Sequence, residues 1–317
     1  MRINVGYGYA GYNMITSLQR LGHDVPFQDP TAKVQIHLSQ PAWYEFFENQ
    51  YKIGYTPWES SELPVGWRED FNGLDELWTP SPLIAQWFAE AGVTVPIFVY
   101  EHGIPPEWVP ERRNAIGPLK ILHVGEPAPR KGAQMAYEAF LEVFGNSNDA
   151  TFTLKAHTNS GVREFDKSGS IIGIPDDRPN VNVIREILSG EELIKLFNNH
   201  DCLVYPGFGE GFGLIPLQAM GSGMPTICTG AWAPYERLIL PELVLSSKPV
   251  PSPWPMMHPG TMFEPSYSDL VNAYKYIANN REKVFGKAYL NAFRVHKEYN
   301  WDLLTKNAFA HIIKMFS

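Results

Sequence analysis

The chain has 317 residues, 44% of them hydrophobic and 19% charged, with a formal net charge of −8 at pH 7. This composition supports a sizeable core and excludes a disordered chain, and the acidic balance argues against a surface built to grip a nucleic-acid backbone. At roughly 150 residues per domain the length points to two domains, and no apolar run approaches the ~20 residues needed to span a bilayer.

The chain is expected to be cytoplasmic. Residues 1–22 carry no apolar stretch of the secretory-signal kind. Cys202 and Cys228 each lie in an apolar run that reads as buried strand, as small core residues do in a reducing compartment. No Cys/His spacing resembles a zinc site, so no metal is expected.

The first half alternates strand-like and helix-like segments. Arg2–Val5 reads as a strand, and Tyr12–Leu21 as a helix stopped by Gly22. Val34–Leu38 is a strand, followed by an aromatic helix from Ala42 to about Glu48. Strands follow at Tyr51–Tyr55, Glu76–Thr79 and Ile97–Tyr100, with helices at Val65–Asn72 and Pro82–Ala91. Residues 104–118 hold four prolines and read as a linker. A second series then runs through strand Leu119–Val124, helix Ala133–Phe144 and strands Thr151–Lys155 and Val181–Ile184. Ser189 and Glu192 form a capping box for a helix to about Asn199. Strand Cys202–Tyr205, a helix after Gly213 and strand Pro225–Cys228 follow. Residues 247–265 are Pro-rich and read as loop, and two or three helices finish the chain, the first capped by Ser268. Strands alternating with helices imply parallel sheets covered on both faces, with ligands beyond the C-terminal strand ends.

Chemistry concentrates in Val204-Tyr-Pro-Gly-Phe-Gly-Glu-Gly-Phe-Gly-Leu-Ile-Pro-Leu-Gln-Ala-Met-Gly-Ser-Gly-Met-Pro225. A buried strand ends, three glycines make a loop, and a helix starts near Phe212–Leu214, where free amides and the helix dipole suit a phosphate. Glu210 beside such an anion site fits hydrogen bonds from sugar hydroxyls better than contact with phosphate. An ordinary strand-loop-helix turn is the competing reading. In Val124-Gly-Glu-Pro-Ala-Pro-Arg-Lys-Gly132, Arg130 and Lys131 suit a leaving diphosphate, or a solvated helix start. His37 reads equally as a pocket residue and as a satisfied loop histidine.

The first of these segments resembles the signature of family 4 retaining glycosyltransferases of the GT-B fold, in which two Glu are separated by seven residues. Glu210, Gly211-Phe212-Gly213, Ala219-Met220, Gly223 and Pro225 carry the resemblance, with Gln218 in place of the second Glu. Lys131-Gly132 matches the family's basic pair, but Glu126 stands where its Arg usually lies and Arg130 substitutes from a shifted position. Tyr55-Thr-Pro-Trp-Glu59, Leu77-Trp-Thr-Pro-Ser81 and Val99-Tyr-Glu-His-Gly-Ile104 are similar to other family elements, as is a first glycine loop of Gly6, Gly8 and Gly11.

The resemblance implies two Rossmann-like domains facing a cleft, with limits at 1–107 (acceptor side), 108–298 (nucleotide sugar) and a terminal helix, 299–317, crossing back. It implies sugar transfer from a nucleotide-diphosphate sugar, a UDP-sugar, with retention and without metal or other cofactor. The catalytic set implied is Glu210, Lys131 and Arg130. Gly8, Lys155, Phe212, Gly213, Leu214 and Gln218 bind the donor, and His37, Glu59 and His102 line a sugar or acceptor pocket. The acceptor is open among glycan, lipid, protein and a modified DNA base. Two other readings stand beside this one. Gly6-Tyr-Gly-Tyr-Ala-Gly11, with Asp24 and Asp29, fits an NAD(P)-dependent oxidoreductase. Gln218 and Glu126 also suit a catalytically weak nucleotide-sugar-binding module.

Overall fold

The computed structural model describes residues 6–126, 128–156 and 178–317; the expected strand Arg2–Val5 lies outside them. The first lobe runs α1 (Gly6–Arg20), β1 (Val34–Leu38), β2 (Tyr51–Tyr55), α2 (Trp67–Asn72), β3 (Glu76–Thr79), α3 (Pro82–Glu90) and β4 (Ile97–Val99). Its four strands pair in parallel and in sequence order. Side chains alternate across the pleat. Ile53, Tyr55 and Trp78 pack with Ala10, Met14 and Leu18 of α1 on one face. On the other, Leu77 meets Trp67, Phe71, Ile84 and Phe88.

The second lobe contains β5 (Leu119–Val124), α4 (Ala133–Phe144), β6 (Ala150–Lys155), β7 (Val181–Ile184), α5 (Gly190–Asn198), β8 (Cys202–Tyr205), α6 (Leu214–Gly221), β9 (Thr226–Thr229) and β10 (Val244–Leu245). These six strands form a parallel sheet in the order β10-β9-β8-β5-β6-β7. Ile121, Leu122, Phe140, Phe152 and Leu203 are fully enclosed in its core, each such side chain stabilising the fold by about 1.5–3 kcal/mol. Chain progression reverses at β5, which has β6 on one side and β8 on the other. Such a switch point opens a crevice between the loops that leave the two strands. Here those loops are residues 125–132 and 206–213.

The chain ends with α7 (Tyr267–Asn279), α8 (Arg281–Glu298) and α9 (Trp301–Phe316). Asn300 caps α9, its side chain accepting from Leu303 N at 3.0 Å. α9 lies on the first lobe, where Asp302 accepts from Ser17 Oγ at 2.6 Å and pairs with Arg20. The two crossings between lobes run side by side. Ile104 N donates to Tyr299 O at 2.7 Å, and a Cβ on Gly103 would come within 2.7 Å of Trp301 N.

Several expectations are corrected. Residues 42–48 are not a helix: only Pro41–Trp43 makes a single 3-10 turn. The chain then runs along edge strand β1, with Glu45 N donating to His37 Nδ1 and Phe47 N to Gln35 Oε1, both at 2.9 Å. Residues 247–265 are not simply loop but contain an antiparallel hairpin, β11 (Ser247–Pro251) and β12 (Thr261–Pro265). Its prolines are tolerated because a two-stranded ribbon has open edges. The cap of α7 is Ser266, which accepts from Asp269 N, rather than Ser268. Gly6, Gly8 and Gly11 lie inside α1 rather than in a loop. The connecting stretch 104–118 docks on the second lobe, where Arg113 donates to the carbonyls of His200, Ser222 and Phe197 at 2.8, 2.9 and 3.2 Å.

Candidate active site

The loops from β5 and β8 meet at the switch point because a glycine lets their backbones touch. Gly132 has φ +71°, and a Cβ there would fall 2.0 Å from Pro206 O. Phe208 N donates to Arg130 O at 2.7 Å. This contact holds Arg130 and Lys131 over Glu210. Arg130 Nη1 donates to Glu210 Oε1 and to Gly209 O, each at 3.0 Å. Lys131 Nζ reaches the same carboxylate oxygen at 2.5 Å. Tyr205, the last residue of β8, donates to it at 2.9 Å and accepts from Lys131 at 3.0 Å.

The first lobe closes the cluster. Arg130 Nη2 stands 3.2 Å from Glu59 Oε1, and Glu59 Oε2 lies 3.4 Å from His258 Nδ1. The approach again depends on glycine: a Cβ on Gly209 would sit 2.2 Å from Glu59 O, and one on Gly211 2.5 Å from Pro57 Cβ. Side-chain exposure is only 9% for Glu210, 11% for Arg130, 13% for Lys131 and 20% for Glu59. Charges this buried persist only when paired. Burial raises the pKa of Glu210, but Lys131 and Arg130 together outweigh it and hold the carboxyl below its usual range. Glu59 goes the other way, raised by burial against the pull of Arg130. Burial, and then Arg130, lower the Lys131 ammonium.

The remaining site candidates separate into groups. Gly213 has φ +83° and begins α6; a Cβ there would strike Tyr235 and Trp232. Leu214 is the first residue of α6, and Gln218, one turn on, is buried with Oε1 unpaired among the described residues. Tyr9 from α1 faces Gln218: burial pushes its hydroxyl up to about 12, against hydrogen bonds with Trp108 and Gln218. Phe212 is buried against His102, Tyr235 and Tyr299. Lys155 ends β6 with a buried side chain, lowered by burial and offset by Glu186. Gly8 is buried in α1.

Two of the three pocket candidates lie apart from the cluster. His37 is a satisfied histidine of the β1 edge, held by Glu45 N and ringed by Tyr44 and Phe46. His102 does not line an open pocket; it is enclosed at the lobe crossing by Tyr55, Phe212 and Trp301, and burial drives its pKa down to about 3. Sequence reasoning missed Tyr205, Tyr9, His258 and Tyr7, whose hydroxyl reaches Pro57 O at 3.4 Å. Tyr205 had one legible signal, its place at the end of the strand that feeds the glycine loop. The dinucleotide reading loses its turn, since its glycines are helical, and Asp29 accepts from Thr31 N at 2.8 Å to close its own turn.

Residues 118–240 match the family model described as "Glycosyl transferases group 1". This stretch is similar to group 1 glycosyltransferase domains. It contains both loops of the charged cluster. A curated relative, D-inositol 3-phosphate glycosyltransferase from Arthrobacter sp. (strain FB24), is 25% identical over 182 residues, 56% of this chain and 38% of its own. The chain thus spans well under half the length of that relative. Among solved structures, sucrose-phosphate synthase from Thermosynechococcus elongatus superposes with a TM-score of 0.64 at 15% identity, over 84% of this chain and 68% of that one. HepE from Anabaena, in complex with UDP-glucose, gives a TM-score of 0.65 at 12% identity, over 84% and 72%. The matched stretch is thus the second half of a GT-B fold. No helix among the described residues is long and apolar enough to cross a membrane.

Proposed function

We propose that this chain is a retaining glycosyltransferase that moves a sugar from a UDP-sugar to an acceptor hydroxyl, without a metal or other cofactor. The observation that carries the reading is the buried cation pair Arg130 and Lys131, closed on Glu210 at the switch point of the glycosyltransferase domain. In this reading the nucleotide-sugar unit is 108–298, residues 1–107 form the acceptor side, and 299–317 return to it. UDP-glucose in the HepE structure supports a uridine donor. The acceptor class is open among glycan, lipid, protein and a modified DNA base.

Arg130 and Lys131 turn from Glu210 to the diphosphate, while amides at the start of α6 (Phe212, Gly213 and Leu214) meet its oxygens. Gln218 reaches the ribose, and Gly8 and Lys155 complete the donor wall. Glu210 then accepts from sugar hydroxyls. The bond from the anomeric carbon to the diphosphate breaks, its electron pair leaving with the diphosphate. The acceptor oxygen bonds that carbon on the same face, and its proton passes to a departing phosphate oxygen. The protein supplies position and charge rather than a covalent partner.

A thermal-shift panel of UDP-, GDP- and ADP-sugars, repeated with EDTA, tests the reading. UDP-sugars are expected to raise the melting temperature equally with and without EDTA. A panel with no stabilising nucleotide sugar, or one whose effect disappears with EDTA, would count against it.

A further inference from the structure

The β11–β12 hairpin joins both lobes at the charged cluster. Phe263 N donates to Phe208 O in the glycine loop at 2.8 Å. Thr261 N donates to Ser61 Oγ at 2.9 Å, and Ser61 N returns to Thr261 O at 3.1 Å. The turn of the hairpin carries His258, which is buried with its ring 4.8 Å from Trp58 and 5.7 Å from Trp254. Its Nδ1 is enclosed, makes no hydrogen bond among the described residues, and stands 3.4 Å from Glu59 Oε2, whereas Arg130 holds Oε1. A buried ring nitrogen left unpaired calls for an explanation, and the group that faces it is a carboxylate oxygen. Burial holds the imidazole neutral, its pKa driven down to about 3, so it can offer Nδ1–H without adding charge.

We propose that His258 is a positioning residue for Glu59: with Arg130 on one oxygen and His258 on the other, the carboxylate is fixed where it accepts a hydrogen bond from the acceptor. That bond comes from a hydroxyl beside the reacting one or, when water is the acceptor, from the O–H that is not lost. The inference rests on the glycosyl-transfer reading, and it gives the hairpin a part in acceptor alignment. Nucleotide affinity is left to Arg130, Lys131 and the α6 start.

Two measurements test it. Nitrogen-15 NMR of the histidine-labelled protein is expected to show His258 neutral with the proton on Nδ1, and Glu59→Ala to perturb that signal. An Nε2–H tautomer in the unaltered protein would overturn the contact. UDP-glucose hydrolysis supplies the second readout. His258→Ala is expected to lower kcat about tenfold or more, as small misplacements do, with KM for UDP-glucose and affinity for UDP within about twofold. His258→Asn, whose amide nitrogen stands near the Nδ1 position, is expected to recover most of the rate, whereas a merely structural role would leave both variants equally impaired. Wild-type turnover in His258→Ala refutes the proposal. Failure of the unaltered protein to bind UDP or hydrolyse UDP-glucose counts instead against glycosyl transfer, and the tautomer still decides the contact.

Discussion

Arg130 and Glu59 meet across the cleft at 3.2 Å, while the same guanidinium holds Glu210 from its own lobe at 3.0 Å. One cation therefore serves a carboxylate from each lobe. Removing it leaves two buried negative charges with Lys131 as their only near Lys or Arg among the described residues. Arg130→Met is expected to destabilise the protein by about 3 kcal/mol, the range seen when one partner of a buried pair is deleted. Glu59→Gln added to it should restore part of that loss, because the uncompensated first-lobe charge is gone. Denaturant melts of the single and double variants check this. A double variant no more stable than Arg130→Met would mean that Glu59 and Arg130 are not coupled.

The glycines of the signature loop act by allowing two lobes to approach. A Cβ on Gly209 would run into the backbone of the first lobe, 2.2 Å from Glu59 O. Backbone cannot swing aside as a side chain can, so Gly209→Ala should push the first lobe away while leaving the second-lobe core intact. Small-angle scattering is expected to show a larger radius of gyration, and turnover to fall about tenfold or more as reacting groups separate. An unchanged radius together with unchanged turnover would show that the loop has slack.

Much of this was legible because buried parallel strands are short apolar runs between breakers. Val34–Leu38, Tyr51–Tyr55 and Glu76–Thr79 fall where their sequences end. Periodicity failed at residues 42–48. There aromatic spacing mimics a helix, yet the backbone is satisfied by the side chains of Gln35 and His37. It failed again at the hairpin, where Pro249 and Pro251 read as loop although an open ribbon edge needs no donor from them. At the site, Glu210 and Lys131 stood out by motif, but motif cannot show that Arg130 is shared between lobes. Nor does anything in the local sequence of His258 point to Glu59, about two hundred residues earlier, because that contact exists only once the hairpin folds over the cleft.

Buried histidines make the fold acid-sensitive. Burial drives His102 and His258 to about 3 and His123 to about 4. Below the ordinary histidine value of ~6.5 the unfolded chain takes up protons that the folded one refuses, so stability falls as pH falls. Each contributes a slope of about 1.4 kcal/mol per pH unit between ~6.5 and its folded value. Glu210, held low by its cations, adds to the loss as pH falls below the ordinary carboxylate range toward its folded value. Melting temperature is thus expected to be flat above pH 7 and to drop steeply from pH 6 to 5. His123→Phe, at a fully enclosed position stacked on Tyr205, should reduce that slope by about 1.4 kcal/mol per pH unit. A melting temperature independent of pH over this interval would show that these rings are solvated.

Glu210 competes with any incoming diphosphate for the two cations that hold it. Glu210→Gln keeps the shape and removes the charge, freeing Arg130 and Lys131 for an anion. UDP is expected to bind more tightly to this variant by several-fold, each 1.4 kcal/mol being a factor of ten. Turnover is expected to fall at least about tenfold, because the sugar loses a charged acceptor that strengthens in the transition state. The gain in affinity should shrink as pH rises: Lys131 is already lowered by burial and by Arg130, and it loses the carboxylate that supports its charge. Calorimetry with UDP at two pH values, beside UDP-sugar hydrolysis, separates the two effects. A variant that binds UDP more weakly yet turns over at the original rate would mean that Glu210 merely organises the cations and never meets the sugar.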